Sequence, residues 1–135
     1  EQGIISSTEI ISELSGSSCV KMLGPYAYTP PHYWFTNTNL GGAYGFNTET
    51  CPGANVPPLA SIKKTIPEQH LWPIDKVWEF HCGTNEFSTL DRVSKAIEKR
   101  YGKAENIADY AYKSQILNYE LIRPMFESFI ANQPK

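Results

Sequence analysis

A chain of 135 residues has the length of one ordinary domain and can bury a core of its own. Twelve Lys and Arg against 14 Asp and Glu leave a formal charge of -2, which excludes the electrostatic footprint of a nucleic-acid binder or of a protein drawn to an anionic membrane, and suits a neutral substrate. Cys19, Cys51 and Cys82 lie far apart with no CxxC spacing, so neither a zinc ribbon nor a disulfide framework is signalled and at most one disulfide could form.

In chain order, Ser7 through Leu14 to Gly16 reads as a short capped helix with a glycine stop. Ser18 to Leu23 has the length and β-branched content of a buried strand, closed by Gly24-Pro25. Tyr26 to Phe35 is aromatic, carries two prolines and is expected to be loop. Ala43 to Thr48, preceded by Gly41-Gly42, predicts a second strand, which places Glu49 at a strand's C-terminal end. Pro57 to Ile66 predicts a helix with Asn55 as a candidate cap, and Glu68 to Gly83, broken by Pro73, is expected to be irregular. Leu90 to Tyr101 is a helix by its stripe of Leu90, Val93, Ala96, Ile97 and Tyr101, with Ser88 and Asp91 suited to a capping box and Gly102 at its end. A long helix from Ile107 to Ile130, capped by Asn106, is expected to turn Tyr112, Tyr119, Ile122, Phe126 and Phe129 to one side and to bend or split at Pro124. No repeat or internal linker divides the chain, so residues 1–135 read as one domain, and no apolar run reaches the length of a membrane span.

Strands alternating with helices favour a parallel α/β arrangement, in which functional groups gather beyond the C-terminal ends of the strands. Glu49 lies at such an end. Four blocks around it, VKMLGPYAYTPPHYWF, GGAYGFNTET, IPEQHLWPIDKVWEFHCG and AYKSQILNYELIRPMFESF, resemble in order the family 2 glycoside hydrolases of the exo-β-glucosaminidase type, from about residue 18 to residue 130. The resemblance implies the C-terminal portion of a (β/α)8 barrel, about strands six and seven with their helices, largely helical on its own. It also implies a retaining glycosidase that acts on terminal β-linked glucosamine of chitosan-like oligosaccharides. On that resemblance GFNTET matches the seventh strand and Glu49 is the nucleophile, with Tyr28, or else Tyr26, as the residue that orients it. The family's acid/base segment and eighth strand have no match here, so the isolated piece is expected to be inactive. The parent is expected to be secreted or periplasmic, and the exposed edges of the piece invite homo-oligomers.

Other residues admit two readings. The chain is 13% aromatic. Trp72 and Trp78 either stack on sugar at the mouth of the site or pin the long segment in place, packing being favoured for Trp78, and Trp34 is equally open. Tyr26, Trp72 and His81 are candidate substrate contacts. His32, His70 and His81 lack the spacing of metal ligands, so no metal and no cofactor is expected. The mixed charges of Asp91 to Lys103 read as the wet face of a helix. A β-mannosidase or β-galactosidase specificity and a non-catalytic carbohydrate-binding fragment are the alternatives, and Glu68, Glu79 and Glu86 are the nearby acids able to stand in as a second carboxyl.

Overall fold

The computed structural model describes residues 11–12, 16–17, 20–21, 25–37, 43, 46–83 and 87–132. Its described elements are mainly helical, with four strands of two residues each. Two compact units divide the chain: Glu1–Pro52 with Leu121–Lys135, and Gly53–Glu120.

The first unit contains all four strands. β1 (Ile11–Ser12) pairs antiparallel with β2 (Gly16–Ser17), so strand stands at these four residues where a helix stopped by Gly16 was expected. Ile11 is β-branched, and Gly16 opposite Ser12 suits a strand mate better than a helix stop. The expected cap at Ser7 lies outside the described residues. β3 (Val20–Lys21) and β4 (Phe46–Asn47) fall inside the two stretches expected to be strand, and they pair in parallel, Val20 with Phe46 and Lys21 with Asn47.

Between them the expected loop is interrupted by a four-residue helix, α1 (Tyr33–Thr36). Pro30 and Pro31 fix φ near the helical value just ahead of it, and the Tyr33 N–H donates to the Pro30 carbonyl at 3.0 Å. This turn delivers Trp34 into the core with no exposed surface, beside Ala43 and Met125, with Tyr33 and Phe129 packed against them. Trp34 is therefore core packing.

The second unit holds α2 (Leu59–Thr65), a 3-10 turn at Glu68–His70, α3 (Lys76–His81), α4 (Asp91–Tyr101) and the first part of α5 (Ile107–Ala131). Asn55 does not cap α2, because Pro58 occupies that position. The segment expected to be irregular contains α3, whose start is made by Asp75: its Oδ1 accepts from the Val77 N–H at 2.9 Å. Thr89 takes the role expected of Ser88 at the start of α4, its hydroxyl accepting from the Asp91 N–H at 3.1 Å. Val93, Ala96 and Ile97 are buried and Asp91, Arg92, Lys95, Glu98, Lys99 and Arg100 exposed, as the stripe requires. Gly102 closes the helix at φ +79, a value favouring glycine.

α5 departs from expectation in its buried face. Tyr112, Tyr119 and Phe126 are exposed, whereas Tyr110, Ser114, Leu117, Leu121, Met125 and Ser128 are buried. Two of these are serines whose hydroxyls donate to carbonyls four residues back, Ser114 to Tyr110 at 2.7 Å and Ser128 to Pro124 at 2.6 Å. That local bond lets a polar residue occupy the inner face, and it hides the stripe from a reading based on hydrophobicity. Asn106 caps the helix as expected, its Oδ1 accepting from the Asp109 N–H at 3.0 Å. Pro124 does not split α5. It does deprive the Glu120 carbonyl of its helical donor, and the boundary between the two units falls at Glu120–Leu121.

Candidate active site around Glu49

The candidate site grows out of the end of β4. Because β3 and β4 are parallel, both strands finish on the same side, where a parallel arrangement collects functional groups. After Asn47 the chain bends through Thr48 and Glu49, both exposed. The Glu49 backbone N–H donates to Asn47 Oδ1 over a long 3.4 Å, an Asx-type turn in which a side chain mimics the backbone.

Further along, three bonds tie the chain to the earlier aromatic segment. The Cys51 N–H donates to the Pro25 carbonyl at 3.0 Å and the Thr29 N–H to the Pro52 carbonyl at 2.9 Å. The Cys51 thiol donates to the Tyr26 carbonyl at 3.5 Å. Tyr26 and Tyr28, both half-buried, are thereby held on a segment alongside residues 51–52, just past Glu49.

Asn47, Thr48, Glu49 and Thr50 face Met125, Phe126 and Phe129 of α5 across an open groove of about 530 Å³. Threonine hydroxyls and a carboxylate on one side and aromatic rings on the other suit a ligand that is polar at its edges and apolar on its face. Glu49 is the sole carboxylate among the described residues lining the groove. The sequence reading missed Asn47, although Asn-x-Glu at a strand end is the pattern of an Asx turn.

Trp72 and His81 belong to the other unit and line cavities there. Trp72 leans on Tyr110, ring centroids 5.7 Å apart. His81 is exposed and sets its ring edge-on to Phe80 at 5.4 Å. Trp78 is a packing residue: it is buried, meets Tyr110 edge-on at 6.4 Å and donates its Nε1–H to the His70 carbonyl at 2.9 Å. His70 Nδ1 lies 2.6 Å from Asp75 Oδ2, and this hydrogen bond chiefly holds the Asp75 carboxyl below its ordinary range. The pair braces the start of α3.

Of the other acids considered, Glu68 and Glu79 are exposed in the second unit and Glu86 lies outside the described residues. Cys51 and Cys82 are free, and burial raises the Cys82 thiol above its ordinary value. Among the described residues no group of three or more His, Cys, Asp or Glu is placed to hold a metal ion.

No protein-family model matches the chain. Among curated proteins it is 35% identical over 127 residues to the exo-β-D-glucosaminidase of Amycolatopsis orientalis, covering 90% of this chain and 12% of that protein. It is 36% identical over 122 residues to the exo-β-D-glucosaminidase of Streptomyces avermitilis, covering 87% and 13%. The chain is a homologue of the exo-β-D-glucosaminidases of glycoside hydrolase family 2. These homologues are glycosidases.

The structural comparison agrees. A variant of the A. orientalis exo-chitosanase CsxA, solved in complex with PNP-β-D-glucosamine, matches with a TM-score of 0.73 at 35% identity, over 87% of this chain and 15% of that one. A further CsxA crystal structure matches with a TM-score of 0.67 at 31% identity, over 87% and 15%. A weaker similarity, 26% identity over 123 residues, links this exo-β-D-glucosaminidase homologue to the mannosylglycoprotein endo-β-mannosidase of Lilium longiflorum. The chain thus spans about an eighth of the length of the curated relatives it matches.

Proposed function

We propose that these 135 residues belong to the catalytic domain of a retaining glycosidase that removes terminal β-linked glucosamine from chitosan-type oligosaccharides, with Glu49 as its nucleophile. One observation carries the reading: Glu49 stands exposed just past a parallel strand, on the wall of an open groove, inside the GFNTET block. β3 and β4 would be the sixth and seventh strands of a (β/α)8 barrel.

The Glu49 carboxylate would attack the anomeric carbon as the glycosidic bond breaks, and the leaving oxygen would take its proton from a second carboxyl about 5 to 5.5 Å away. Water activated by that second group would then hydrolyse the glycosyl ester. On the family resemblance the acid/base would come from polypeptide beyond these 135 residues, and the piece alone would be inactive. Tyr28 would orient Glu49, and Tyr26 would contact substrate. A polymeric substrate favours a secreted or periplasmic parent, and the strand edges of an isolated barrel piece would favour its self-association.

The similarity to an endo-β-mannosidase makes β-mannoside cleavage the rival specificity. Full-length protein carrying Glu49→Gln, assayed on PNP-β-D-glucosamine and PNP-β-D-mannoside, tests both points. The reading expects glucosaminide hydrolysis in the parent and loss of nearly all turnover in the variant. Preference for the mannoside would replace the substrate, and an active variant would remove Glu49 from the chemistry.

A further inference from the structure

We infer that Asn47 is a positioning residue for Glu49, acting through the backbone rather than on the sugar; the inference rests on the nucleophile reading above. At the end of β4 the chain must leave its pairing with Lys21 and carry Glu49 out to the groove within two residues. One contact of this turn runs from the Glu49 N–H to Asn47 Oδ1 at 3.4 Å. Asn47 is half-buried and lines the same groove, so its carboxamide is fixed at the root of the Glu49 side chain.

The chemistry of the side chain sharpens the assignment. Among the described residues, Asn47 Nδ2 is buried with no hydrogen-bond partner, an arrangement that costs stability. Serine and aspartate make the same type of turn without leaving an amide unpaired. Aspartate, however, would set a second negative charge two residues from Glu49 and favour the protonated form of the nucleophile. Asparagine supplies the accepting oxygen without placing that charge beside Glu49.

The test uses the full-length protein with Asn47→Ser, Asn47→Ala, Asn47→Asp and Glu49→Gln, with kcat and KM measured across pH and thermal melts recorded for each variant. Serine keeps a neutral acceptor and is expected to hold kcat within about threefold, whereas alanine loses about 10- to 100-fold in kcat with KM nearly unchanged, the scale of a small misplacement of a reacting group. Aspartate is expected to shift the acidic limb of kcat/KM to higher pH. Unimpaired Asn47→Ala, or Asn47→Ser as impaired as Asn47→Ala, overturns the inference while an inactive Glu49→Gln leaves the nucleophile reading standing. An active Glu49→Gln overturns both. Should alanine fail to fold, the aspartate profile decides: an unmoved acidic limb refutes the role.

Discussion

Tyr110 offers the sharpest test of how the second unit is held. Its ring is 2% exposed and touches two tryptophans, Trp72 at 5.7 Å and Trp78 at 6.4 Å, while its hydroxyl sits 2.9 Å from Ser94 Oγ. Tyr110→Phe keeps both ring contacts and removes one hydrogen bond whose partner, Ser94, is half-buried, so the cost should be about 0.5–1.5 kcal/mol. Tyr110→Ala empties the ring volume as well and should cost about 3–5 kcal/mol. Burial raises the Tyr110 hydroxyl above its ordinary value. A group whose folded pKa is raised contributes stability below its unfolded pKa of about 10 and loses it as pH climbs through the folded value, so Tyr110→Phe should also flatten the alkaline loss of stability. Urea unfolding followed by tryptophan fluorescence reads both effects. Equal costs for phenylalanine and alanine would refute the claim that the ring, rather than the hydroxyl, holds the unit together.

At the acid end, Glu120 is held below its ordinary range, first by the Tyr101 hydroxyl at 2.7 Å and also by Arg100. A depressed folded pKa gives stability present above the unfolded value of about 4.3 and lost as pH falls through the folded one, so Glu120→Gln should shallow the acid limb of a pH-dependent melt, and an unchanged limb would count against the cluster. Gly102→Ala meets no steric neighbour within 4 Å, yet φ +79 strains an L side chain, and the substitution should cost about 1–3 kcal/mol by urea titration; no change would mean the backbone relaxes there. Asp75→Ala removes both the cap of α3 and the partner of His70, and should lower the melting temperature of the second unit more than Asp91→Ala at the exposed start of α4.

What the sequence made legible follows where each signal is local. The α4 stripe, the Asn106 cap and the two short strands rest on period and turn chemistry carried by adjacent residues, and each is where that chemistry predicts. The inner face of α5 was not legible because Ser114 and Ser128 satisfy their hydroxyls within the helix, leaving exposed Tyr112, Tyr119 and Phe126 as the stronger apolar pattern. α3 was hidden behind Pro73, since its start depends on Asp75 capping it. At the candidate site the strand end and Glu49 were readable, whereas the groove was not, because Met125, Phe126 and Phe129 reach it from a helix some 75 residues later.

The most direct test of the central claim is to catch the covalent intermediate. Full-length protein would be quenched during steady-state turnover of an activated glucosaminide and digested, and its peptides read by tandem mass spectrometry. The account predicts a glycosyl adduct on the peptide containing GFNTET, located on Glu49, and none in Glu49→Gln. An adduct on any other carboxylate, or hydrolysis that inverts the anomeric centre with no adduct at all, would contradict it.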